Sequence, residues 1–66
     1  MSIYSEMKQA GIETDHHYSD LYVIDCPEAR AILANHGKKV DGWNVQRFTS
    51  QIDGKPWLDV AFSYYL

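Results

Sequence analysis

Cysteine is nearly absent from this chain: Cys26 stands alone, so no internal disulfide can form, and a lone thiol suits a reducing, intracellular compartment better than a secreted scaffold. Long apolar runs are missing as well. The uninterrupted ones are a few residues, against the ~20 that a membrane-spanning helix needs, and no basic start leads into an apolar signal segment. The expectation is a soluble cytoplasmic protein. At 66 residues there is too little chain for a second core, so residues 1–66 are expected to form a single domain. No repeat or low-complexity segment is present. Gly11, Gly37, Gly42 and Gly54 stand where caps or turns call for them, and no glycine-rich phosphate loop is formed.

Positive charge is missing from one long stretch. Between Lys8 and Arg30 lie Glu13, Asp15, Asp20, Asp25 and Glu28 with no lysine or arginine among them, whereas Lys38, Lys39, Arg47 and Lys55 fall in the second half. The net charge of −3 argues against direct nucleic-acid binding, because phosphate contacts normally need a basic stripe. What the chain does have is core material, with 45% of residues hydrophobic and 14% aromatic.

Ser2 is a good helix N-cap, and Ile3, Met7 and Ala10 recur at helical spacing, which predicts a first helix over about Ile3 to Ala10. Gly11 can take the left-handed conformation that ends it, with Ile12 folding back on Met7 in a Schellman motif. Residues Glu13 to Ser19 show no clear periodicity. A strand is expected over Asp20 to Asp25, then a second helix over Pro27 to His36, with Pro27 in its first turn and Gly37 at its end. Trp43 to Ile52 reads as a second strand whose apolar phase shifts from Trp43 and Val45 to Phe48 and Ile52, which a bulge near Gln46 or Arg47 would explain. Asp53 and Gly54 signal a hairpin, and Leu58, Val60, Phe62, Tyr64 and Leu66 alternate as the third strand, with Phe48 and Val60 expected on one face. A right-handed crossover through the second helix then predicts an α+β fold, order α-β-α-β-β. Its antiparallel sheet has three strands in order 1-3-2, with two short helices on one face.

His16, His17, Cys26 and His36 are suitable zinc ligands by type, but no Cys-x-x-Cys or His-x-x-x-His brings them together, and adjacent histidines point to opposite sides of a strand. Cys26 near the start of the second helix could be an activated thiol. A packed or capping cysteine is the simpler reading, since so small a domain has little room for both a core and an enclosed pocket. No catalytic residue, metal or cofactor is therefore expected. Two features are left over: the acidic residues Glu13, Asp15, Asp20, Asp25 and Glu28, and the second phase of the third strand, with Trp57, Asp59 and Tyr65 facing away from the helices. Exposed aromatics beside carboxylates suit a protein interface, and these residues are the expected partner-binding set.

The segments Ser2 to Gly11, SDLYV at Ser19 to Val23, PEARAIL at Pro27 to Leu33 and DGKPWLDVAFSY at Asp53 to Tyr64 resemble a family of very short bacteriophage and prophage proteins. Some of its members look like anti-CRISPR proteins, and the size and acidity are similar to an inhibitor of type I-C CRISPR effectors. The resemblance covers most of the chain. It implies a monomer acting in the bacterial host cell, which binds the CRISPR effector complex where target DNA would lie, with carboxylates standing in for phosphates. The alternative within the same family is a phage accessory protein that binds a different host protein.

Overall fold

A computed structural model of the chain describes residues 2–42 and 44–61. Its elements are α1 (Ile3–Gln9), β1 (Thr14–His17), β2 (Asp20–Ile24), α2 (Pro27–Asn35), β3 (Val45–Thr49) and β4 (Pro56–Val60). The fold is α+β, with a four-stranded antiparallel sheet in the order β1-β2-β4-β3.

Local chemistry accounts for the helix ends. The Ser2 hydroxyl accepts the Ser5 N–H at 3.1 Å, which satisfies one of the donors a helix start leaves open. At the other end of α1, Gly11 sits at φ +73°, and the N–H groups of Gly11 and Ile12 return to the carbonyls of Lys8 and Met7 at 3.1 and 2.9 Å. This is the expected Schellman motif, and it seats Ile12 beside Met7 in the core. α2 closes the same way: Gly37 sits at φ +74°, and Lys38 N–H reaches the Leu33 carbonyl at 2.9 Å. A contact between the His36 ring and the Glu6 carboxylate links the two helices.

Both helices cover one face of the sheet. Ile3 and Met7 of α1 and Ala29 and Leu33 of α2 pack with Leu21 and Val23 of β2, Leu58 and Val60 of β4, and Val45 of β3, and all of these side chains are fully buried. β4 lies in the middle, antiparallel to β2 and β3, filling the gap that the crossover through α2 leaves between them. That much agrees with the expected order of three strands.

Three expectations need correction. The sheet has a fourth strand, β1, which pairs with β2 along the edge through a turn at Tyr18 and Ser19, with Tyr18 at φ +57°. Its sequence, Thr14-Asp15-His16-His17, carries no apolar alternation because an edge strand with little cover does not need one. No bulge interrupts β3, which pairs with β4 residue by residue from Val45 to Thr49. The apparent phase shift arises because Phe48 faces away from the helices and Ile52 is in the loop, 97% exposed. Phe48 stands opposite Trp57, not on the face of Val60, which is opposite Val45. The hairpin signalled by Asp53 and Gly54 does form: it joins β3 to β4, and Ser50 N–H donates to the Lys55 carbonyl at 2.9 Å across its loop. Expectations for Trp43, Phe62, Ser63, Tyr64, Tyr65 and Leu66 lie outside the described residues.

Candidate functional site

The period of two in a strand sends alternate side chains to opposite faces. Opposite the helices, β1 therefore contributes Asp15 and His17, β2 contributes Asp20 and Tyr22, β4 contributes Trp57 and Asp59, and β3 contributes Gln46 and Phe48. None of these is a lysine or arginine. The rings form a row across the sheet. His17 stacks on Tyr22 with centroids 5.2 Å apart at 13°, and Tyr22 meets Phe48 edge-on at 5.1 Å. Because β4 lies between β2 and β3, the Tyr22–Phe48 contact bridges over it, and the small Asp59, directly opposite Tyr22, leaves the room. Phe48 and Trp57 face one another on neighbouring strands.

Asp59 is the unusual member. Its Oδ1 is buried without a hydrogen-bond partner among the described residues. Loss of hydration, then a hydrogen bond to Asp20 that Asp59 can make only when protonated, then the Asp20 charge, push its carboxyl up to about 6, with His17 opposing. Burial, followed by the charges of Asp59, Asp20 and Asp15, raises the Tyr22 phenol above its ordinary value. The open face is thus a field of negative charge around a partly desolvated aromatic row.

A groove of about 720 Å³ runs along this face toward the β3–β4 loop, lined by Asp15, Tyr22, Phe48, Ile52, Asp53 and Trp57 among others. The structure brings Asp15, Asp20, Trp57 and Asp59 of the expected partner-binding set together on this face, and Asp15 and Trp57 line the groove itself. Glu13 stands just before β1, where its carbonyl accepts the Ile24 N–H at 3.0 Å, and continued alternation places it on the side of Asp15. Two acids sit elsewhere. Asp25 forms a two-pronged ion pair with Arg30 at 2.7 and 2.8 Å, which holds its carboxyl below the usual range, and Glu28 is on the first turn of α2, behind the sheet. Tyr65 lies outside the described residues. His17, Tyr22 and Phe48 are site members that sequence reasoning passed over. The signal for Tyr22 was available, since it alternates with Leu21 and Val23.

His16 and His17 point to opposite faces, His16 toward the Tyr4 ring at 4.8 Å. Among the described residues no three His, Cys, Asp or Glu side chains converge as a metal-binding group. No described helix is long and apolar enough to cross a membrane. No protein-family model, curated protein or solved structure matches the chain.

Proposed function

We propose that this chain is a binding protein without catalytic activity, which docks the open face of its sheet on a basic, nucleic-acid-binding surface of another macromolecule. The observation that carries this reading is the one-sided charge of that face: Asp15, Asp20 and Asp59 surround an aromatic row, with no lysine or arginine from the strands to offset them. A surface that holds DNA presents lysine and arginine, and an acidic face is steered to it.

The resemblance to small phage proteins makes the type I-C CRISPR surveillance complex the partner to test, with the chain acting in the bacterial cytoplasm as a monomeric anti-CRISPR inhibitor that needs no cofactor. Such effectors carry nucleic acid in positively charged channels. The mimicry is partial. The longest dimension of the domain is 30 Å, along which duplex DNA carries roughly 18 phosphates at one per ~1.7 Å. The few carboxylates of this face cannot replace them all, so Tyr22, Phe48 and Trp57 supply much of the contact. If that aromatic row dominates, a different host protein becomes the better-suited target.

The test is competition. Purified type I-C effector is mixed with the protein, with and without target duplex, across a salt series. Mutually exclusive binding that weakens as salt rises supports the reading; a stable ternary complex with duplex contradicts it.

A further inference from the structure

The groove on the open face combines aromatic rings with carboxylates. Three aromatic side chains, Tyr22, Phe48 and Trp57, line it, and carboxylates stand at its sides, Asp15 on β1 and Asp53 in the β3–β4 loop. Its lining includes no lysine or arginine. Asp15 is exposed and opposite Tyr22, while Phe48 and Trp57 are opposite each other, so the acid and the three rings come one from each of the four strands, fixed in one register.

This arrangement selects its occupant by charge and shape. Aromatic faces attract cations, tryptophan most strongly, and a carboxylate beside the rings adds a directed partner. Acidic peptides and phosphates carry the wrong sign. Of the two cationic side chains, lysine is a compact and strongly hydrated point charge, whereas the guanidinium is planar, less hydrated, stacks on rings and offers a fork of N–H donors to one carboxylate. His17 already covers one side of the Tyr22 ring, which leaves Trp57 and Phe48 as the stacking surface. At about 720 Å³ the groove has room for an arginine side chain together with the peptide that bears it.

We propose that this groove is an arginine-binding site, which receives the guanidinium of a basic partner protein between the Trp57–Phe48 rings and the Asp15 carboxylate. The site deepens the binding role proposed above, and rests on that reading only for which protein presents the arginine.

The test uses the isolated protein. The peptide acetyl-Gly-Arg-Gly-amide is titrated into it while the Trp57 indole and Phe48 ring resonances are followed by NMR, with lysine and citrulline versions of the peptide and a short single-stranded DNA as comparisons. The arginine peptide should shift those resonances saturably, and the lysine and uncharged citrulline peptides should bind about fivefold more weakly or less. Trp57→Ala and Asp15→Asn should each weaken the arginine response by about fivefold, with the rest of the spectrum keeping its native dispersion. Equal binding of citrulline or lysine, no shift at Trp57, or stronger shifts with the oligonucleotide would overturn the site. Should Trp57→Ala unfold the domain, Asp15→Asn alone decides. An intact arginine response without effector binding would remove the CRISPR partner and leave the groove. Effector binding without an arginine response would remove the groove alone.

Discussion

The two faces of the sheet are built from the same strands and share one backbone, yet they have opposite characters. On the helix side, Leu21, Val23, Val45, Leu58 and Val60 are all fully buried and none is polar. On the other face, Asp20, Tyr22, Phe48, Trp57 and Asp59 form a mixed acidic and aromatic surface that no helix covers. Burial of the first set supplies the folding free energy, since apolar area removed from water contributes roughly 25 cal/mol per Å². The second set does the reverse at Asp59, which holds a carboxylate in a place that disfavours its charge. A small domain has little stability to spare, so a feature that opposes folding points to a role other than folding.

Substitutions on the two faces differ in their effect on stability. Val60→Asp should have the largest effect and unfold the domain, because an unpaired carboxylate in a fully buried apolar site costs several kcal/mol, comparable to the whole stability of a chain this short. Circular dichroism would show it; a cooperative melt near that of the parent would mean that β4 is not central to the core.

Asp59→Asn, one residue away, should have the opposite sign. The carboxyl titrates near 6 in the fold and near 3.8 unfolded, so the folded state binds more protons between those values and stability falls as pH rises from about 4 to about 6. Above that window the penalty is fully present. The substitution should therefore stabilise the protein by roughly 1 to 3 kcal/mol at pH 7 and flatten its stability between pH 4 and 6. Chemical denaturation at several pH values would reveal this. A loss of stability at pH 7 would mean that the ionised Asp59 is well solvated or paired.

Phe48→Ala should have the smallest effect, about 1 kcal/mol, since its ring is 36% exposed and what it loses is chiefly the edge-on contact with Tyr22. A loss as large as the 2 to 5 kcal/mol usual for a buried large-to-alanine change would make Phe48 a core residue after all.

These contrasts also explain what could be read from the chain alone. Both helices, their glycine caps and the central position of β4 were legible, because capping and strand alternation are local chemistry. β1 was not, because Thr14-Asp15-His16-His17 is polar throughout and its turn at Tyr18 and Ser19 has neither glycine nor asparagine. The face of Phe48 is illegible for a specific reason: its apolar ring belongs to the open side, and the equally apolar Ile52, a loop residue, repeats its phase. Trp57 and Asp59, two of the eight strand residues named on the open face, are legible from alternation in β4, and Tyr22 is legible in the same way between Leu21 and Val23. The remainder depended on strand pairing, since only the register places His17 and Phe48 at either end of the Tyr22 row.

The most direct test of the open face as the binding surface compares Asp15→Lys with Glu28→Lys. Both side chains are exposed and both changes shift the net charge equally, but Asp15 is on the open face and Glu28 is on α2 behind the sheet. Binding to purified type I-C effector would be measured for the two variants and the parent at one salt concentration. Asp15→Lys should weaken binding by about tenfold or more while Glu28→Lys stays within about twofold of the parent. Equal losses for the two would contradict binding through the open face, because the effect would then follow total charge and not the face.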